Sequence, residues 1–154
     1  MADPKEWGPT LWKILHTVSE NLGKNTNLHM QKDEMTYFKA LQRKLYYILP
    51  CKICRIHYKE YMKNIKDFEY TKFKENSKTF YLNLHNQVNL RNSTKLYSFE
   101  DLDIYKQYTK NDLDKIFTEF VTLYRKYTNL KYIAFDELKD FNRILILLRR
   151  IINF

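Results

Sequence analysis

Cys51 and Cys54, the two cysteines of this 154-residue chain, stand three apart behind a proline in "LPCKICRIHYKEYM", Leu49 to Met62. At a helix start, two thiols at this spacing lie within disulfide reach of each other. Free backbone N–H groups and the positive end of the helix dipole stabilise a thiolate there, and Lys52 and Arg55 add positive charge. Such a pair can be oxidised and reduced repeatedly without reorganising a fold. Zinc is the first rival, since Cys51, Cys54, His57 and His85 are acceptable ligand types. Small zinc sites, however, usually pair two short knuckles, and no second ligand stands beside His85. An inert pair of buried thiols is the third possibility, and the Pro-Cys-x-x-Cys placement argues against it. A thioredoxin-like setting is excluded because no βαβ pattern precedes the motif. A cycling dithiol needs an electron acceptor.

The elements that must carry these residues read as helices. Two glycines, three prolines and an aromatic content of 16% leave little material for hairpin turns, so the expected class is all-α. A first helix is expected to begin near Pro9, suited to a first turn, and to stop by Gly23. Leu11, Leu15, Val18 and Leu22 form its apolar stripe, with Trp12 and His16 one above the other on an adjacent strip. A second helix covers about 32–48, with Met35, Phe38, Leu41, Leu45 and Ile48 inward. Pro50 disfavours helix at Leu49 and sets up a third helix carrying the dithiol. A fourth, about 70–91, holds a polar cluster in "FYLNLHNQVNL". "SFED" from Ser98 resembles a capping-box start. Leu113, Ile116, Phe117, Phe120, Val121 and Tyr124 make a further stripe, and a last helix spans about 136–152.

Composition bounds the setting. The length suits one domain, or a domain with an appendage, and a core that needs no disulfide staples. No signal peptide is visible at "MADPKEWGPT". The arginines in "ILILLRRIINF" interrupt a stretch already too short to span a bilayer, so a soluble protein is expected. The net charge of +9 raises a nucleic-acid partner. The lysines are nonetheless spread along the chain on the polar sides of helices, the pattern of a solvated surface.

Three segments in order, "WGPTLWKILH" (Trp7 to His16), "LPCKIC" followed by His57, and "LHNQVN" (Leu84 to Asn89), resemble the signature of the Erv/ALR flavin-linked sulfhydryl oxidases, particularly those of large DNA viruses. The resemblance covers roughly residues 5 to 105. It implies a four-helix bundle with a short fifth helix holding FAD, and additional C-terminal helices beyond it. The resulting division is an oxidase domain at 1–105 and a helical extension at 106–154, the latter a candidate interface. By the same resemblance Cys51 and Cys54 are catalytic. Trp7, Gly8, Trp12, His16, Cys54, His57, His85, Asn86, Val88, Asn89 and Lys95 are cofactor-binding, and no metal is required. A viral origin would imply host cytoplasm or the virion.

The family chemistry implied for these residues is thiol oxidation with reduction of dioxygen to hydrogen peroxide. Cys51 is the outer sulfur that a substrate thiolate attacks, and Cys54 the sulfur beside the flavin. The chain departs from many relatives in having no third cysteine. The substrate therefore reaches Cys51 directly or a separate thiol protein relays to it, and a homodimer must be held by packing. Pro9 stands where some relatives have an arginine, removing one phosphate contact. A non-catalytic basic helical module that binds nucleic acid is the alternative from another class, and a zinc-binding structural module a second.

Overall fold

The computed structural model describes residues 1–66 and 68–154. Among the described residues there are six α-helices and no strand: α1 (Pro4–Glu20), α2 (Leu28–Ile48), α3 (Lys52–Met62), α4 (Phe73–Arg91), α5 (Lys110–Asn129) and α6 (Phe135–Ile151). A 3-10 turn, Tyr70–Lys72, leads into α4, and a longer 3-10 segment, Glu100–Gln107, joins α4 to α5. No helix among the described residues is long and apolar enough to cross a membrane.

α1 begins before the expected proline. Asp3 caps it by accepting from Lys5 N, and Pro4 takes the first turn, leaving Pro9 inside the helix. α2 likewise starts early, because Asn27 Oδ1 accepts from the N–H groups of His29 and Met30. Ser98 and Asp101 exchange the reciprocal bonds expected of "SFED", although they open the 3-10 segment and not an α-helix. The full capping box lies at α5, where Thr109 and Asp112 bond each other's backbone.

The expected stripes face inward. Leu11, Leu15, Val18 and Leu22 are buried, as are Phe38, Leu41, Leu45 and Ile48 of α2. Phe38 meets Phe73, Phe80 and Tyr81 edge to face, which joins α2 to α4. α4 and α5 both pack on α1, and α6 runs along α2. Leu113, Phe120 and Tyr124 of α5 and Phe141, Leu145 and Leu148 of α6 belong to the same continuous core as α1 and α2. Lys44 of α2 pairs with Glu137 and Asp140 of α6, and Lys126 of α5 with Glu6 of α1.

Two buried carboxylates set the frame that holds α1 and α4. Glu20 pairs with Lys74 and Lys78 across the two helices. Glu34 accepts from Gly23 N, Asn25 Nδ2 and Tyr70 Oη, tying the α1–α2 loop to the entry of α4. Gly23 has φ +76°, and a Cβ there would come 2.7 Å from Lys74 N, so no other residue fits without displacement.

Candidate functional site

The dithiol closes the N-terminus of α3. Pro50 holds Leu49 extended, and Cys51 becomes the N-cap, its Sγ accepting from Cys54 N. Cys51 and Cys54 form a disulfide with Cα atoms 5.2 Å apart. Arg55 fixes the motif from the side: Nε donates to Leu49 O at 2.7 Å and Nη2 to Tyr132 O at 2.8 Å, in the α5–α6 turn. The first residues of the chain cover it from another side, through Ala2 N to Pro50 O and Lys52 N to Met1 Sδ. Cys51 is buried at 5% exposure, while Cys54 is half-buried, and His57 is half-buried one turn further along α3.

A second cluster forms between α1 and α4. Trp12 and His16, one turn apart, stack with centroids 5.7 Å apart. His85 of α4 stacks on Trp12 at 4.1 Å and nearly parallel. His16 Nε2 and His85 Nδ1 are 3.0 Å apart, so one carries the proton that the other accepts. Burial and then the neighbouring His85 lower the pKa of His16 to about 3, and burial lowers that of His85 to about 4. Both rings are therefore neutral at pH 7. His16 Nδ1, Trp7 Nε1 and Thr17 Oγ1 are buried without a hydrogen-bond partner among the described residues. Trp7 and Gly8 are buried in the first half of α1, and a Cβ on Gly8 would only touch the Trp12 ring at 4.0 Å. By helix rise, Trp12 and His16 lie about 12 and 18 Å along α1 from Pro4.

The end of α4 organises the loop after it. Asn86 accepts from Tyr97 N and donates to Tyr97 O, both at 2.8 Å, and Asn89 Nδ2 donates to Lys95 O at 3.1 Å. Val88 is half-buried beside them. Lys95 projects outward at 78% side-chain exposure, 3.9 Å from Asp101. The structure thus groups the singled-out residues three ways: the disulfide, the Trp12–His16–His85 stack, and a loop clamp of Asn86, Asn89 and Lys95.

Two rings of this wall escaped sequence reasoning. Tyr105 stacks on His16 at 5.1 Å, and Tyr97 stands edge-on to His85 at 4.9 Å. Neither lies on a helical stripe, so periodicity carried no signal for them. Arg55 announces only its charge in the sequence, and its reach to Tyr132, 77 residues away, has no local signature.

The sequence pattern of the Erv1/Alr family matches residues 9–110. The matched span takes in the ring stack, the dithiol and the α4 clamp, and stops where α5 begins. Neither the curated proteins nor the solved structures compared with the chain match it.

Proposed function

Because this chain belongs to the Erv1/Alr family, we propose that it is an FAD-dependent thiol oxidase that makes disulfides in protein substrates through Cys51 and Cys54. The observation that carries the reading is the disulfide itself, set as the N-cap of α3 in a chain with no other cysteine.

In this reading a substrate thiolate attacks Cys51 Sγ, the Cys51–Cys54 bond breaks, and Cys54 departs as a thiolate. The N-terminus of α3 stabilises that charge, together with the cation of Arg55 held against the motif. A second substrate thiol attacks the mixed disulfide and leaves as oxidised product. The pair then holds two electrons as a reduced dithiol, and the two protons of the substrate thiols are released or shared with it. Cys51 is buried at 5% exposure, so attack there requires the packing around it to open.

The residues present fit FAD. Trp12, His16 and His85 form a stack of flat rings, and the buried Trp7 Nε1 and His16 Nδ1 lack the hydrogen-bond partner that a heterocycle would supply. The residues assigned to hold it are Trp7, Gly8, Trp12, His16, Cys54, His57, His85, Asn86, Val88 and Asn89, with Lys95 as the cation for its phosphates. When bound, FAD supplies the acceptor for the two electrons and their passage to dioxygen, giving hydrogen peroxide. The two neutral imidazoles, sharing one hydrogen, provide fixed donor and acceptor positions in place of charge.

With no third cysteine, a separate thiol protein serves as relay or the substrate engages Cys51 itself. A homodimer, if formed, is held by packing. The likeness to the enzymes of large DNA viruses rests on the three motif segments. Purification tests the reading: a yellow protein with one flavin per chain that consumes oxygen with dithiothreitol is expected. A colourless protein that binds DNA would overturn it in favour of a basic binding module.

A further inference from the structure

The α5–α6 turn lies beyond the family span, yet it forms one wall of an open groove that Arg55 of α3 also lines. Arg55, next in the chain to Cys54, and Tyr47 line one side; Lys131, Tyr132, Phe135 and Glu137 line the other. The wall is rigid. Lys131 adopts φ +58°, Tyr132 N returns to Tyr127 O at 2.9 Å, and Arg55 ties Tyr132 O to Leu49 O. Its surface is apolar and unusually open for such large rings, with Phe135 66% and Tyr47 47% exposed. Ile53 and Ile56 add exposed aliphatic side chains on α3 itself.

Its charge is one-sided. Arg55 and Lys131 have no carboxylate partner among the described residues, whereas Glu137 is neutralised by Lys44 at 2.7 Å. Lys52 stands exposed at the start of α3. A second copy of a chain of net charge +9 would bring like charge to this face. A small thiol would leave the groove empty. Arg55 lines the groove and follows Cys54 directly in the chain, so for a thiol oxidase the occupant is the polypeptide flanking the reacting thiol. Resting on the thiol-oxidase reading above, we propose that the groove docks an extended, acidic, aromatic-bearing segment beside the reactive cysteine of a protein substrate. The C-terminal hairpin thereby selects substrate.

The test uses the full-length flavin-loaded protein and two short fluorescein-labelled peptides. One carries glutamates and a phenylalanine around a serine standing for the cysteine; the other has lysines for the glutamates. The glutamate peptide is expected to bind at least about tenfold more tightly by anisotropy, with the preference fading at high salt. In the double variant Lys131→Glu, Phe135→Ser that preference should vanish. The KM for the cysteine form of the glutamate peptide should rise about tenfold with kcat unchanged, and dithiothreitol oxidation should be unaltered. Equal binding of the two peptides, or an unchanged peptide KM in the double variant, overturns the proposal. So does sedimentation in which the double variant converts a dimer to monomers while the peptide KM stays put, which would make the groove a self-interface. If the native protein fails to oxidise dithiothreitol, the oxidase reading falls, while the serine peptides still decide the groove.

Discussion

The Trp12–His16–His85 stack and the α5–α6 hairpin both rest on α1, and they are built from opposite materials. The hairpin buries hydrocarbon and ring surface: Phe120, Tyr124, Phe141, Leu145 and Leu148 are almost fully buried, and Phe120 packs on both Tyr124 and Phe141. Burial of that kind stabilises by about 25 cal/mol per Å² of apolar surface. The stack instead buries two neutral imidazoles; among the described residues His16 Nδ1 has no hydrogen-bond partner, and neither do Tyr124 Oη and Asn142 Oδ1 of the hairpin. Leaving such groups unpaired costs about 1–3 kcal/mol each. What separates the two regions is the buried imidazole pair, and the family pattern covers that pair while stopping at the hairpin.

Substitutions that separate the two regions should give opposite phenotypes. The largest effect falls on chemistry: Cys51→Ser or Cys54→Ser should abolish oxygen consumption with thiols, while far-UV circular dichroism stays that of the native helices. With flavin bound, Cys51→Ser should show a long-wavelength absorbance band and Cys54→Ser none; the reverse pattern would exchange the roles of the two sulfurs. Phe141→Ala in the hairpin should do the converse. It should lower stability by about 3–5 kcal/mol in denaturant melts while the flavin spectrum of the remaining folded protein is unchanged. A comparable loss of flavin would erase the distinction between the regions.

His85→Ala with Asn89→Ala should reduce flavin retention and remove the stabilisation that ligand binding adds, seen as a lower Tm in the presence of excess FAD. A double variant with full flavin and the native Tm would return both residues to a purely structural role. Acid should reveal the same cluster. Because the folded-state pKa values of His16 and His85 are depressed, the unfolded chain binds more protons below its own pKa near 6.5. Their stability contribution is full above that pH and is lost as pH falls towards about 4 and then about 3. Tm should drop through this window, and His85→Phe should flatten the drop. The smallest effect belongs to the half-exposed Lys44–Glu137 pair, where Lys44→Ala should cost no more than about 1 kcal/mol.

Much of the frame was legible from residue order. The stripes of α1, α2 and α5, the break at Pro50 and the Trp12–His16 strip all come from local periodicity and backbone geometry, which act within a few residues. Half-buried Phe117 and Val121 mark the edge of the α5 stripe and not its centre. The true helix starts were legible too, since Asp3-Pro4 and Asn27 are ordinary capping signals that the stronger-looking Pro9 and Lys32 overshadowed.

Sequence alone determined the all-helical class, the dithiol at a helix start, and which faces must be buried. Tertiary structure decided the rest. It set Tyr97 and Tyr105 against the imidazoles, bound Arg55 to the α5–α6 turn, and laid α6 along α2. Periodicity states that a face will be buried but not against what, because apolar attraction has no direction and many helix pairings satisfy a stripe equally. The partner is chosen only when the whole set of stripes, ion pairs and loop clamps must be satisfied in one packing.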